Sequence, residues 1–335
     1  MKIPNLILVL SALVLPLQAA DVGTAYLNLP VTVKAGETKL VGVFLARPAL
    51  LKGELGSAVT EGASSFTAYS SGSSVFSGYT AADESTSAKE LAPLSDDLYV
   101  VEITSGPNTG LIKQVSSFSG NTVNVKGTLP DLSEKTQFLL RKDNTIASVF
   151  GTGSAVTVAT GTSTANADVV TILTTGGLFK RFFYRTGSGW RLETDRLAGG
   201  AERGNVRISL GTGVLFKSYT NKDINLSGEY RGTRSLITIN ERGSIVANPS
   251  PVAVSLGDSG LSSYLTTDAS AANADTLKFL ESGSYVQYHH NGTGFVQSIG
   301  GAVSNAKLLG VGDAFILTPQ VADKKIAFAP QVITK

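Results

Sequence analysis

The feature that most constrains the fold is a stretch of sequence that occurs twice. Residues 165–168 read A-N-A-D, and residues 272–275 read the same. Each copy leads to a related turn, G-S-G-W at 187–190 and G-T-G-F at 292–295. Further on, L-G-T-G-V-L-F is similar to a later L-G-V-G-D-A-F. Tandem similarity of this extent predicts a duplicated structural module, but it does not indicate a chemistry.

Short apolar runs between turn residues predict an all-β fold. The runs are rich in Val, Ile, Thr, Phe and Tyr, and they are interrupted by Gly, Asn, Asp and Pro. Such runs, among them residues 155–159 and 169–173, are typical of strands joined at short intervals. We expect antiparallel sheets in a sandwich-like arrangement, with one turn of helix within residues 85–94. Aromatic residues spaced through the Ser- and Gly-rich stretch 56–89 favour irregular strands docked on a core over a free loop.

The order of these features predicts four parts of the chain. Residues 1–20 would be a signal peptide, and residues 21–145 an N-terminal β region. Residues 146–250 would form the first copy of the module, and residues 251–335 the second. The mature chain is long enough for two or three domains of about 100–150 residues.

The first twenty residues resemble a secretory signal. Lys2 is followed by an apolar run at residues 6–17, and Ala19 and Ala20 precede Asp21. This is the order of charge, apolar segment and small residues that signal peptidases recognise. The apolar run is shorter than the roughly 20 residues of a membrane-spanning helix. We therefore expect an exported protein without a membrane span after signal removal, located in the periplasm, at the cell surface or outside the cell.

Composition excludes several kinds of site and partner. The net charge is +2, which is too near neutral to indicate attraction of the whole molecule to nucleic acid. The chain contains no cysteine, so thiol catalysis and thiolate metal sites are excluded. We expect neither a cofactor nor a metal.

Four stretches resemble an uncharacterised family of exported β-rich proteins found mainly in verrucomicrobial bacteria. They are K-A-G-E-T-K-L-V-G-V-F-L-A-R-P at 34–48, Y-V-V-E-I-T-S-G-P-N-T-G at 99–110 with L-P-D-L-S-E-K-T-Q-F-L-L-R at 129–141, the duplicated module, and S-L-G-D-S-G-L at 255–261. The resemblance spans nearly the whole mature chain and rests on turns and core aromatics. It implies secretion and a repeated β architecture, and it carries no catalytic residues.

Most chemistry-bearing motifs have a structural interpretation. His289 and His290 are the only histidines, and as strand neighbours they would point to opposite faces. Glycine pairs at 151–153, 187–189 and 211–213 lack the remainder of a phosphate-binding motif and predict hairpin turns. The N-K-D-I-N run at 221–225 lacks the glycine of a calcium loop and predicts an Asx turn. Asp168 and Asp275 end the two A-N-A-D copies, which predicts a shared turn or cap role.

A basic, aromatic segment in the first copy is the best candidate for a binding site. Its cations extend to Arg207 and include Arg181, Arg185 and Arg191, and Trp190 lies among them. Arginine pairs with anions, and an aromatic ring can stack on a sugar. We take Arg181, Arg185, Trp190 and Arg191 as candidate ligand-binding residues. The alternative is a solvated strand face on which arginine stems cover apolar surface.

These observations predict an exported, non-catalytic interaction or structural protein of the cell envelope or surface. If it binds a ligand, we expect an anionic polysaccharide or another envelope component. The alternative is a secreted enzyme that acts on polysaccharide with a pair of carboxylates, since Asp and Glu are numerous.

Overall fold

The computed structural model describes residues 25–328 with the exception of Ser73, Thr175, Ala198, Thr233 and Asp323. The predicted signal peptide lies outside the described residues.

Strands dominate the described part of the chain. The N-terminal 150 residues contain β1 (Tyr26–Val33), β2 (Thr38–Val43), β3 (Ala49–Glu54), β4 (Ser65–Thr67), α1 (Ser87–Glu90), β5 (Tyr99–Ile103), β6 (Ile112–Ser119), β7 (Thr122–Val125), β8 (Gln137–Lys142), β9 (Asn144–Thr145) and α2 (Ile146–Phe150). They are followed by β10 (Val169–Leu173), β11 (Phe179–Arg185), β12 (Gly189–Leu192), β13 (Arg207–Ile208), β14 (Thr212–Lys217), β15 (Lys222–Glu229), β16 (Ser235–Ile239) and β17 (Ser244–Ala247). The remaining strands are β18 (Val254–Ser255), β19 (Thr276–Glu281), β20 (Ser284–His290), β21 (Phe295–Gln297), β22 (Leu308–Leu309), β23 (Ala314–Thr318) and β24 (Lys324–Phe328), and single turns of 3-10 helix lie at Gly153–Ala155, Glu193–Asp195 and Leu261–Ser263.

A ten-stranded antiparallel sheet forms the centre of the molecule. Its strands follow the order β12-β11-β10-β14-β17-β23-β19-β20-β21, and β2 pairs with β14 beside this path. The fold class predicted from the sequence, all-β with antiparallel sheets, is confirmed.

The same order of strand pairing occurs at both ends of this sheet. At one end β10 pairs with β11 and β14, and at the other β19 pairs with β20 and β23. The next pairing also corresponds, because β2 pairs with β14 and β17 pairs with β23. The small two-stranded sheets also correspond, since β1 pairs with β15 and β9 with β13, whereas β16 pairs with β24 and β18 with β22. We call β1, β2 and β9–β15 the first half, and β16–β24 the second half.

The strands β3–β8 form a separate sheet between β2 and β9. Its order is β3-β8-β5-β6-β7-β4, and we call residues 49–142 the inserted unit. Phe66 and Phe76 are buried in its core, which confirms that aromatics of the 56–89 stretch dock on packed strands. Aromatic contacts such as Phe76 with Phe118, at a ring-centre distance of 5.2 Å, hold this stretch in place.

Three main apolar cores divide the chain. Buried residues of β1 and β2 share one core with Ile146, Trp190 and Phe216, while the inserted unit and the second half each have a core of their own. The boundaries 21–145, 146–250 and 251–335 stay a prediction, but packing joins residues 26–45 to the first half rather than to the inserted unit.

A buried ionic network links the inserted unit to the junction of the two halves. Glu102 accepts hydrogen bonds from Arg141 at 3.1 Å and from Arg231 at 3.3 Å. Arg141 also pairs with Glu229 at the end of β15. The guanidiniums and the Glu102 carboxylate are almost fully buried, so loss of one partner would leave an unpaired buried charge.

Several local predictions are correct and others are wrong. The turn of helix within residues 85–94 is α1, and the strand predicted at 169–173 is β10. The sequence predicts a strand at residues 155–159, but a turn of 3-10 helix ends at Ala155 and no strand follows there. Of the three glycine pairs only 187–189 is a hairpin turn. Gly151 instead ends α2 with φ of +81°, and 211–213 leads into β14.

Candidate functional site

A cleft of about 940 Å³ lies where the inserted unit meets both halves of the large sheet. We call it the central cleft. The polar side chains on its walls that matter here are those of Glu84, Lys113, Gln114, Lys126, Arg207 and Lys325. Cavities at the junction of structural units are common binding sites.

A divergence of strands in the large sheet opens one end of the cleft. β14 pairs with β10 only opposite residues 169–171, and the following residues of β10 line the cleft. At Thr212 β14 pairs with β17 of the second half instead. Gly213 permits this close approach, since a Cβ there would lie 2.9 Å from the Ile245 Cγ2 atom of β17. The end of the cleft is therefore built by the contact between the two halves.

A chain of buried charges crosses one wall of the cleft. The Arg207 guanidinium donates to both carboxylate oxygens of Glu84, at 3.2 and 2.8 Å, and to Asp143 Oδ2 at 2.7 Å. Lys126 donates to Glu84 Oε2 at 2.7 Å. The carboxylates and the guanidinium are at most 7% exposed. Because Glu84 and Lys126 belong to the inserted unit and Arg207 to the first half, this chain fastens the two together.

The two carboxylates of this network have different ionisation behaviour. Burial by itself raises the pKa of Glu84, but the hydrogen bonds and charges of Arg207 and Lys126 outweigh it and lower the pKa below its ordinary value. Burial dominates at Asp143 and raises its pKa. Asp143 Oδ1 also accepts backbone hydrogen bonds from Asn144 and Leu210, both at 2.9 Å. One carboxyl is thus held firmly ionised while its neighbour resists ionisation.

Uncharged polar groups complete the walls. Gln114 donates to Ser209 Oγ at 2.8 Å, which joins the inserted unit to the first half a second time. Thr238, on the wall contributed by the second half, has a buried hydroxyl without a hydrogen-bond partner. A buried hydroxyl of this kind costs free energy unless a ligand or water satisfies it.

Trp190 belongs to the core of the first half and not to a surface. It is fully buried, its ring packs against Phe150 and Tyr184, and its indole N–H donates to the Gly151 carbonyl at 2.9 Å. Phe182 and Phe183 are also fully buried, on opposite faces of β11. The stacking platform expected for a sugar is therefore absent from this position.

The three candidate arginines do not form one surface. Arg181 is exposed and pairs with Glu193 at 2.8 Å. Arg185 is half-buried and donates to the carbonyls of Thr162 and Arg196. Arg191 is buried and donates to the Trp190 carbonyl at 3.0 Å. A ligand-binding role for this segment stays a prediction. The observed partners of the three arginines are all groups of the protein itself, and these contacts hold the strands in place.

The contacts of the two histidines are with neighbouring groups of the fold. His289 is buried, and its ring lies 3.1 Å from Ser298 Oγ and 3.4 Å from the Ala269 carbonyl oxygen. His290 packs edge-on against Phe295. Residues 222–225 of the N-K-D-I-N run lie in β15, where Thr32 donates to Asp223 at 2.6 Å.

Asp168 and Asp275 occupy matching environments. Asp168 accepts the backbone N–H groups of Ala159 and Tyr219, each at 2.6 Å, and pairs with Lys222. Asp275 accepts those of Thr266 and Gln320, at 2.8 and 2.7 Å, and pairs with Lys324. Each fully buried carboxylate thus fastens three segments of its half, as the shared turn role predicts.

The sequence interpretation missed the central cleft. Glu84 lies in the Ser- and Gly-rich stretch and Asp143 precedes β9, so neither neighbours Arg207 in sequence. Arg207 belongs to the basic segment of the first copy and is the one sequence signal that points to the cleft. The binding site predicted from the sequence, however, lies on the aromatic part of that segment.

Comparison with known proteins identifies no relative. No protein-family model matches the chain, and no curated protein sequence or solved structure is similar to it. Within the described part of the chain, no helix combines the length and hydropathy needed to cross a bilayer. Among the same residues, no group of three His, Asp or Glu side chains is placed to hold a metal ion.

Proposed function

We propose that this protein is an exported, non-catalytic interaction or structural protein of the cell envelope or surface, and that it binds an anionic polysaccharide in the central cleft. The observation that supports the proposal is the meeting of all three units around one open cleft of about 940 Å³. A cleft of this size is within the usual range of ligand sites and has room for a few sugar units.

The chemistry of the walls suits an acidic, hydroxyl-rich polymer. Lys113 and Lys325 both line the cleft, the first from the inserted unit and the second from the second half. The carboxylates of Glu84 and Asp143 are turned onto Arg207 and Lys126, so they oppose an incoming anion less than free carboxylates would. The Thr238 hydroxyl and the amide of Asn240 offer hydrogen bonds to sugar hydroxyls.

A binding measurement with matched variants tests the site. Titration calorimetry of the mature protein with a uronic-acid polysaccharide should show binding that weakens with added salt. Lys325→Glu should weaken it by about tenfold or more, because one cation becomes an anion at the cleft. The control is Arg181→Ala with Arg185→Ala, which removes exposed Arg181 and half-buried Arg185 from β11 and leaves buried Arg191 in place.

The result assigns the site. A loss confined to Lys325→Glu supports the central cleft, and a loss confined to the arginine double variant supports the β11 segment instead. An absence of binding to neutral and acidic polysaccharides alike would contradict the proposal.

The alternative function is hydrolysis of polysaccharide, and one observation favours it. The environments of Glu84 and Asp143 move their pKa values apart, as in an acid and base pair. Both carboxyls, however, are hydrogen-bonded to Arg207 and buried, which suits a structural link better. Polysaccharide turnover that Asp143→Asn abolishes in a folded protein would establish the enzyme.

Export is part of the same proposal. The charge, apolar run and small residues of the first twenty positions support it, as does the resemblance to exported β-rich proteins. Mass spectrometry of the native protein should find an N-terminus near Ala20 or Asp21. An intact Met1 in a cytoplasmic fraction would contradict it.

We also propose that the two halves are copies of one module. The matching strand order, the paired Asp168 and Asp275 environments and the A-N-A-D similarity support this. The copies would then be 26–45 with 144–229, and 235–328, with the inserted unit placed within the first. An experimental structure in which the nine strands of the two halves fail to superpose would refute the duplication.

A further inference from the structure

The turn between β20 and β21 brings together groups that can react with one another. It contains Asn291-Gly292, the single Asn-Gly dipeptide in the sequence. Glycine after asparagine leaves the backbone nitrogen uncovered. A Cβ at Gly292 would meet nothing within 4 Å, so the surroundings of the turn are also open.

A base contacts the backbone nitrogen of Gly292. Its N–H donates to His290 Nδ1 at 3.2 Å. Burial and the adjacent His289 lower the pKa of His290, so the ring is neutral and Nδ1 can accept a proton near neutral pH. A neutral imidazole in hydrogen-bond contact is the usual geometry of a general base.

Three donors converge on the side-chain oxygen of Asn291. Oδ1 accepts from the Thr293 backbone N–H at 3.0 Å, from Thr293 Oγ1 at 2.9 Å and from the Gly294 N–H at 3.0 Å. When a nucleophile adds to the amide carbon, negative charge develops on this oxygen. Preorganised donors at that position stabilise the charge, as in an oxyanion hole.

We propose that Asn291-Gly292 is a self-modifying site at which the asparagine loses ammonia and becomes aspartate or isoaspartate. The Gly292 nitrogen attacks Asn291 Cγ, and its proton passes to His290 Nδ1. As the new N–Cγ bond closes a five-membered imide, the Cγ–Nδ2 bond breaks and ammonia leaves with the proton from His290. Water then opens the imide at either carbonyl, with no change of oxidation state.

The products alter the turn in two ways. Each adds a negative charge beside His290, and isoaspartate adds a backbone carbon between β20 and β21. The Phe295 N–H, which is held by Asn305 Oδ1 at 2.7 Å, lies just beyond the modified bond. The corresponding turn of the first half reads T-G-S-G and has no asparagine, so the reaction is confined to the second half.

Peptide mapping of aged protein tests this proposal. Native protein is incubated near neutral pH, and loss of the Asn291 amide is followed by mass spectrometry and isoaspartate methylation. Asn291 should react faster than Asn121, Asn221 and Asn305 in the same sample, and faster than in a synthetic peptide of residues 286–297. The peptide retains the Asn-Gly sequence but not the folded turn, so the ratio of the two rates measures the contribution of the fold.

Two variants assign the roles. His290→Phe keeps an aromatic ring against Phe295 and should slow the reaction at least about tenfold, the lower end of general-base effects. Thr293→Val removes one donor to Oδ1 and should slow it as well. A native rate at or below that of the peptide, or an unchanged rate in folded His290→Phe, would overturn the proposal. If His290→Phe fails to fold, the comparison of native protein and peptide decides.

Discussion

At the residue scale, two buried carboxylates hold the large sheet in place. Asp275 accepts two backbone hydrogen bonds and faces Lys324, and both side chains are almost completely buried. Asp168 does the same in the first half with Lys222. A buried charge that loses its partner is strongly destabilising, whereas an exposed pair contributes little.

Replacing Asp275 with Asn should therefore be costly. We expect Asp275→Asn to lower the free energy of unfolding by about 3–5 kcal/mol, because Lys324 remains buried without its counter-ion. Glu193→Gln, which breaks the exposed pair with Arg181, should cost less than about 1 kcal/mol. Denaturant unfolding measures both, and equal losses would contradict the structural role of Asp275.

Gly110 is required by backbone geometry and by space. Its φ is +88°, and a Cβ there would lie 1.6 Å from the Arg234 carbonyl oxygen. Its own carbonyl accepts the Leu236 N–H at 3.0 Å, which binds the inserted unit to the second half.

Gly110→Ala should consequently destabilise the protein by more than the roughly 1–3 kcal/mol of a strained backbone alone. Gly106→Ala is the matched control, since Gly106 also has positive φ but open space around it. Thermal unfolding compares the two variants. An equal decrease of the unfolding temperature in both would show that the contact with Arg234 does not contribute to the destabilisation.

At the element scale, a capping box starts the short helix α2. Thr145 Oγ1 accepts the Ser148 N–H at 3.1 Å, and Ser148 Oγ accepts the Thr145 N–H at 2.7 Å. The helix carries Phe150, which packs on Trp190 and Phe216 in the core of the first half. Loss of the cap should loosen this packing.

We expect Thr145→Ala to lower the free energy of unfolding by about 1–2 kcal/mol. Thr186→Ala, which removes an exposed hydroxyl bonded to Thr160 Oγ1, is the control and should change it by less than about 0.5 kcal/mol. Near-ultraviolet circular dichroism reports Trp190 in the same samples. An unchanged stability in Thr145→Ala would show that the cap is dispensable.

At the scale of the whole molecule, the Glu84–Arg207–Asp143 chain joins the inserted unit to the first half. Because the pKa of Glu84 is lowered in the folded protein, its ionised form stabilises the fold. That contribution is present above the ordinary value of 4.5 and is lost as the pH falls through the lowered pKa.

Glu84→Gln should remove this contribution. At neutral pH the variant should be about 3–5 kcal/mol less stable, since Arg207 stays buried with one partner fewer. Below pH 4.5 the stability of the natural protein should fall more steeply than that of the variant. Unfolding measured from neutral pH to acid checks this, and parallel curves would exclude Glu84 as the source of the acid sensitivity.

Local patterns in the sequence were sufficient for the fold class and for several elements. Alternation and turn residues predicted β10 and the 187–189 hairpin, because these depend on neighbours close in the chain. The A-N-A-D repeat predicted the shared role of Asp168 and Asp275. The site was beyond such patterns. A strand that contains aromatic residues and arginines has the same sequence pattern whether it faces solvent or a core. In the folded protein, packing against the core buries Trp190.

What the sequence alone determined about this protein is its β character, the hairpin turn at 187–189 and the similarity of two stretches within it. Only the tertiary structure decided that β1 and β2 pack with a sheet more than a hundred residues away, and that Glu84, Asp143 and Arg207 meet in one cleft. The physical reason is that strand pairing and ion pairing act between residues distant in the chain. Their partners are chosen by the packing of whole sheets, which no short window of sequence contains.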